Sequence, residues 1–228
     1  MAIGYYVPGA QKHIDIQFLP RFEGYIWVFP RCGHLSVGIC GKGQPAGVQR
    51  DLLHAYMRDK GISWKDATFY SHLLPSLETP SWRRNRIAGE GWLAVGDAAG
   101  LCDPITGEGL YYALRSADLA AGALAGESRA TVQQAYLSAV RRDFLEELEF
   151  AARISKRVFL GKFLFSSVTA RMVQFTRRSP RFYRVMQDLF AGTQNYVDLK
   201  ERLLRNINGT IHEILMNVFF QRILPDAN

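Results

Sequence analysis

The stretch best equipped for chemistry is Gly91 to Leu110, GWLAVGDAAGLCDPITGEGL: an apolar strand, a glycine-aspartate turn, a loop with Pro104 and a glycine-rich helix start. Each part suits a ligand made of sugar and phosphate. Gly96 has no side chain to hold a ligand off the backbone, and the Asp97 carboxylate can accept hydrogen bonds from sugar hydroxyls. It would repel phosphate directly, so hydroxyl binding is its better role. Gly107, Glu108, Gly109 and Leu110 fall where the first turn of a predicted helix leaves N–H groups unpaired and the dipole favours negative charge. A pyrophosphate would be stabilised there. The Glu108 side chain equally suits a first-turn acid, so its backbone is the ligand-facing candidate. Pro104 fixes its own φ and can hold the loop against a flat ring. An ordinary strand-to-helix turn explains Gly-Asp alone, but it requires neither Asp97 nor the Pro-x-x-Gly-x-Gly spacing.

A second candidate is GYIWVFP, Gly24 to Pro30. Tyr25, Trp27 and Phe29 share one face of a strand and can wall an apolar cavity, although aromatic core packing explains them as well. Cys102 beside Asp103 reads as a small packing residue. Cys32, Cys40 and Cys102 form no CxxC pair and have no histidine at metal-ligand spacing, so no metal site is expected. The five histidines are scattered, and no pattern singles out a catalytic residue or a proton donor. Arg83, Arg84 and Arg86 form a basic loop that reads as solvated, with pyrophosphate binding as its functional alternative.

These residues need elements to position them. His13 to Leu19 alternates polar and apolar residues, Tyr25 to Phe29 lies between Gly24 and Pro30, and Leu35 to Cys40 repeats the alternation. The first forty residues therefore predict an antiparallel meander that uses one face. Val48, Leu52, Leu53, Tyr56 and Met57 recur at helical spacing over 47–60 and stop at Gly61. A strand is predicted at 68–74, and Trp92 to Val95, apolar on both faces, fits a buried parallel strand. From Gly107 the chain reads as helical: one helix to about residue 125, a second opened by a Thr131–Gln134 capping box and running through Arg141 and Glu147, then helices near 163–176, 181–190, 198–205 and 211–220. Ser179-Pro180, Gly192 and Gly209 are the expected breaks.

The chain has 228 residues, 48% of them hydrophobic and 21% charged, which is ordinary for a folded globular protein. No basic-then-apolar leader and no long apolar run is visible, so neither secretion nor a membrane-spanning segment is expected. The cytoplasm, or the inner face of its membrane, is the expected location. The net charge is +7, yet residues 151–228 carry 13 Lys/Arg against 5 Asp/Glu, which leaves −1 for residues 1–150. From Arg153 to Arg184 there are nine basic residues and no acid, interleaved with phenylalanines. Such a segment suits peripheral contact with an anionic membrane, with a solvated face over a helical core as the plainer reading. No nucleic-acid recognition motif is present.

The segment GDAAGLCDPITGEGL resembles the second FAD-binding motif of the para-hydroxybenzoate-hydroxylase fold, and is most similar to that of geranylgeranyl reductases. GYIWVFP resembles the Tyr-x-Trp-x-Phe-Pro stretch of prenyl reductases, with Phe22 where those often carry proline. The resemblance implies an α+β architecture: an antiparallel substrate-binding sheet with a surface helix over 1–80, the second part of an FAD-binding domain over 81–128, and a basic helical region over 129–228. It implies FAD as cofactor, Asp97 on the ribityl chain or nearby pyrophosphate, backbone contacts from Gly107, Glu108 and Gly109, and Pro104 beside the ring. The implied activity is reduction of carbon–carbon double bonds in a prenyl or other apolar substrate; monooxygenase or halogenase chemistry on the same fold stays open. The family's N-terminal Gly-x-Gly-x-x-Gly unit is missing here, so a truncated reading frame or one partner of a split enzyme is expected, with an N-terminal FAD-domain partner. A non-catalytic remnant binding lipid or a partner is the alternative from another class.

Overall fold

The computed structural model describes residues 1–126, 131–163, 165–191 and 195–223. Its contacts divide the chain into two units, Met1–Gly161 and Lys162–Asn228, so the expected boundary at residue 80 falls inside the first. Gly192, one expected helix break, lies outside the described residues.

The first unit begins with strands β1 (Ala2–Pro8), β2 (Asp15–Phe18), β3 (Glu23–Pro30), β4 (His34–Lys42) and β5 (Thr68–His72), forming one antiparallel sheet in the order β2-β3-β4-β1-β5. The meander is present, but β1 joins it from within, pairing with β4 on one side and β5 on the other. The sheet also uses both faces rather than one. On one face Ile3, Tyr5, Val7, Ile26, Val28, Val37 and Ile39 form a core with Leu53, Tyr56 and Met57 of helix α1 (Ala46–Asp59). Val48 is exposed at 43%, and Gln49 takes the buried position, donating from Nε2 to the Gln44 and Gly41 carbonyls at 3.1 and 3.4 Å. Gly61, at φ 65°, follows the helix end as expected.

On the opposite face one row crosses four strands: Trp27 of β3 pairs with Gly38 of β4, Gly38 with Gly4 of β1, and Gly4 with Tyr70 of β5. A Cβ on Gly38 would run into the Trp27 indole, and one on Gly4 would lie 2.5 Å from the Tyr70 ring. The two aromatic rings thus lie on a bare patch of backbone. Trp27 Nε1 donates to Ser36 Oγ at 3.2 Å, and Ser36 Oγ is 2.8 Å from the Tyr70 hydroxyl.

The chain then forms helix α2 (Thr79–Trp82) and a two-stranded hairpin, β6 (Ala88–Gly89) with β7 (Trp92–Leu93). Here the expectation of a buried parallel strand fails. Gly91, at φ 79°, reverses the chain so that β7 pairs antiparallel with β6, and Trp92 is 47% exposed where it covers Gly89. A 3-10 turn (Gly96–Ala99) leads to helices α3 (Leu110–Gly126), α4 (Val132–Val140) and α5 (Glu146–Leu160), the last two joined through a π turn at Arg141–Leu145. Thr131 precedes α4 as the capping pattern predicts, but its side chain makes no capping bond. These helices bury Tyr136, Val140, Phe144 and Leu148 together with Ala99, Leu101, Ala120 and Ala123. Arg115 of α3 holds Asp143 of the π turn at 2.6 Å.

The second unit has a short hairpin, β8 (Lys162–Phe163) and β9 (Ser166–Ser167), and helices α6 (Val168–Arg178), α7 (Pro180–Phe190) and α8 (Tyr196–Ile223). Ser167 and Ser179 cap α6 and α7 by accepting the Ala170 and Phe182 amides, each at 3.1 Å, and Pro180 opens α7. The Ser179-Pro180 break is where it was expected. Gly209 breaks nothing: α8 runs through it, because the Arg181 side chain lies against its bare Cα while reaching Glu213 at 3.0 Å.

Two outcomes follow from the first unit's sheet. His54 on α1 shares a 2.8 Å hydrogen bond with Tyr5 and stacks on Trp64 at 4.3 Å. Burial, then Arg50 and Arg58, hold its pKa below the ordinary histidine value. The unfolded chain therefore takes up the proton first, and the stability His54 contributes is complete above the unfolded value of about pH 6.5 and is lost as pH falls from there through the lower folded value. Urea unfolding at about pH 7.5 and about pH 5.5 should show a loss of stability that His54→Gln reduces. Gly38→Ala should lift Trp27 off the sheet, costing about 1–3 kcal/mol and shifting tryptophan emission to the red.

Candidate functional site

The glycine-aspartate turn is clasped by helix α3. Gly96, at φ 54°, donates its amide to Ser116 Oγ at 2.9 Å, and the Ser116 hydroxyl donates to the Ala113 carbonyl at 3.1 Å. A Cβ on Gly96 would stand 2.9 Å from that of Ala113, so the missing side chain is used for helix packing. Asp97 is exposed, and its Oδ1 lies 3.3 Å from where a Gly109 Cβ would stand. The two ends of the motif, twelve residues apart in sequence, thus meet in space.

Between them the loop closes on Asp103, which sequence reasoning passed over. Its Oδ1 accepts the amides of Ile105 at 2.7 Å and Thr106 at 3.2 Å, its own amide donates to the Glu108 carbonyl at 2.8 Å, and its carbonyl accepts the Gly107 amide at 2.9 Å. The side chain is 5% exposed. Asp-Pro followed by Thr-Gly is an Asx-turn pattern, and that was the available signal. Pro104 is buried, with its carbonyl accepting from Ser155 Oγ at 3.2 Å, so it is fixed from behind by α5.

The helix start is narrower than expected. α3 begins at Leu110, the Glu108 amide is occupied by Thr106 Oγ1 at 3.2 Å, and the Glu108 carboxylate accepts the Tyr111 amide at 2.9 Å. Glu108 is not in the first turn but stands just ahead of it, its carboxylate capping an amide of that turn, and the expected donor role of its backbone, like that of Gly107, is taken by the loop itself. The Gly109 and Leu110 amides have no acceptor among the described residues. Gly107, at φ 74°, leaves room for the Tyr25 hydroxyl 3.4 Å from where its Cβ would be.

Tyr25 joins loop to sheet by donating its hydroxyl to the Thr106 carbonyl. Burial, followed by Cys40, pushes its pKa far up, so it stays a neutral donor. From Tyr25 the aromatic face continues edge-on to Trp27 at 6.0 Å and stacked to Phe29 at 5.9 Å. All three line a cleft of about 880 Å³ that also takes in Tyr70, Leu74, Asp97 and Gly107. A smaller cavity of about 410 Å³ lies beyond Tyr25 and contains Pro104. The structure thus brings Tyr25, Trp27, Phe29, Asp97 and Gly107 to one cleft, while Gly96, Pro104, Glu108, Gly109 and Leu110 shape or flank it. Tyr6, Ser36, Tyr70 and His72 also line it and were not foreseen, because β1 was not recognised and neither Ser36 nor His72 belongs to a motif.

Cys102 is 1% exposed and burial, then Asp97, push its thiol up to about 12, which matches a packing role. Arg83, Arg84 and Arg86 are exposed and outside the cleft lining. Among the described residues no cluster of His, Cys, Asp or Glu could hold a metal ion.

No protein-family model matches the chain. Among known proteins it is similar to the chloroplastic geranylgeranyl diphosphate reductase of Nicotiana tabacum, 31% identical over 122 residues, 53% of this chain and 25% of that protein. It is also similar to digeranylgeranylglycerophospholipid reductase 2 of Methanothermobacter thermautotrophicus, 32% identical over 120 residues, 50% of this chain and 29% of the relative. Menaquinone reductase of Mycolicibacterium smegmatis is 27% identical over 150 residues, 62% and 36% of the two chains. The match therefore spans a quarter to about a third of these relatives' length. A solved geranylgeranyl bacteriochlorophyll reductase-like protein from Thermoplasma acidophilum shares the fold with a TM-score of 0.61 at 20% identity, covering 90% of this chain and 54% of that one. Over the part they share, this α+β chain is similar in sequence to the geranylgeranyl and digeranylgeranylglycerophospholipid reductases.

Proposed function

We propose that the chain provides the substrate wall and one half of the flavin site of an FAD-dependent reductase acting on carbon–carbon double bonds of a prenyl or similar apolar substrate. The observation that carries this reading is the single cleft lined by Tyr25, Trp27 and Phe29 on one side and by Asp97 and Gly107 on the other. The names of the relatives, reductases of geranylgeranyl compounds and of menaquinone, support it.

The residues present fit the cofactor. Asp97 is an exposed acceptor held against Gly109, whose lack of a side chain leaves the adjoining amides open. Asp97 would accept hydrogen bonds from the flavin's sugar-like hydroxyls, and the Gly109 and Leu110 amides would donate to its pyrophosphate at the start of α3. Gly107 would let the ring approach the loop, with Pro104 and Glu108 fixing the loop's shape behind it. When bound, reduced flavin would supply the hydride that the alkene accepts. Tyr25, Trp27 and Phe29 would hold the prenyl chain on the bare sheet and keep water from it. The dinucleotide-binding half would come from a further segment or a separate chain.

Visible absorption of the purified chain with added FAD, alone and with the dinucleotide-binding half of a relative supplied in trans, tests the cofactor assignment. Asp97→Ala should weaken flavin binding roughly tenfold or more, the loss expected for a hydrogen bond to a charged group. Equal binding by the variant, or no flavin in either mixture, would contradict it. Tyr25→Phe should free the Thr106 carbonyl and speed amide exchange at Ile105 to Gly107 roughly fivefold, for a bond worth about 1 kcal/mol. Unchanged exchange would show that the tyrosine does not hold the loop.

A further inference from the structure

We propose that the β8–β9 hairpin and the helices after it form a docking surface for an anionic lipid bilayer, with Phe165 as the side chain that enters the lipid. Phe165 sits at the hairpin turn with its side chain fully in solvent, at 105% relative exposure, and with φ 64°. That is left-handed backbone, usually given to glycine or asparagine, and a large apolar side chain there contributes nothing to the fold that holds it. An outlier of this kind points to a partner outside the chain.

The hairpin is firmly backed. Phe163 is 49% exposed yet meets Phe175 of α6 edge-on at 6.4 Å, and Phe175 meets Phe182 of α7 at 5.6 Å. Phe182, Val185 and Met186 of α7 are buried, while Tyr183 and Arg184 face solvent. On α6 the exposed residues Ala170, Val173 and Arg177 follow i, i+3, i+7 and form one stripe.

Charge identifies the occupant. From Lys162 to Arg184 there are six Lys/Arg and no acid, and Arg181 is paired with Glu213 at 3.0 Å. Exposed aromatic and apolar tips beside the exposed Lys162 and Arg177 match an anionic lipid surface, and a second copy of the same basic face would be repelled. Among the described residues no helix is long and apolar enough to cross a membrane, so the contact is one of lying on the surface. The inference holds whether or not the chain binds flavin.

The test is co-sedimentation of the full chain with phosphatidylcholine vesicles, with and without phosphatidylglycerol. Binding should require the anionic lipid and fall in high salt. Phe165→Gly removes the side chain while relieving the left-handed backbone, so its melting temperature should hold or rise while vesicle binding drops about tenfold or more. Lys162→Ser and Arg177→Ser should each lower binding about fivefold. No binding, equal binding to neutral vesicles, or variants that bind like the parent would overturn the proposal. So would light scattering showing a dimer that Phe165→Gly dissolves, which would make the face a contact between copies.

Discussion

The first unit depends on a pair of facing glycines. Gly4 and Gly38 lie side by side at the centre of the sheet, and only without side chains can the Trp27 and Tyr70 rings fold inward over them from strands on either side. Close packing leaves no alternative: a single methyl group there would occupy the same space as an aromatic ring. With the rings down, Ser36 can bridge the indole N–H and the tyrosine hydroxyl, and the strand face becomes a wall with its polar groups satisfied. The opposite face keeps mostly branched aliphatics, with Tyr5 among them, for α1. One sheet thereby serves a core on one side and a cleft on the other.

The loop between Asp97 and Gly109 is fixed for a different reason. Its backbone is tied to the loop's own Asp103 carboxylate, to Tyr25 in the sheet and to Ser155 on α5, so an internal clasp and two neighbouring elements fix a segment with no regular structure of its own. A loop set in this way can leave the Gly109 and Leu110 amides open without collapsing onto them. Preorganised donors beside an exposed carboxylate are what a ligand of hydroxyls and phosphates requires, since little ordering remains to be done on binding.

Much of this was legible in the sequence where a period or a motif reports geometry directly. The alternation of Tyr25, Trp27 and Phe29 with Ile26 and Val28 placed the aromatics on one face, and Gly61 and Ser179-Pro180 marked real helix ends. What stayed hidden depends on contacts distant in the chain. β1 was not recognised because Gly4 and Tyr6 interrupt its alternation, although both are needed where it crosses the sheet. β7 looked like a buried strand by composition, but its direction is decided by Gly91. Gly209 reads as a breaker until Arg181 is seen to lie against it. The Gly107 to Leu110 run predicted four donors, and two of them are spent closing the loop, which only the three-dimensional arrangement of Asp103 and Thr106 reveals.

The central claim is that the aromatic face of β3 is a binding wall for a prenyl chain. The most direct measurement is titration of the chain with geranylgeraniol while following tryptophan emission, compared with Trp27→Phe to isolate the Trp27 signal from Trp64, Trp82 and Trp92. The account predicts a saturable change carried by Trp27 and absent from the variant. No response, or a response that Trp27→Phe leaves intact, would contradict it.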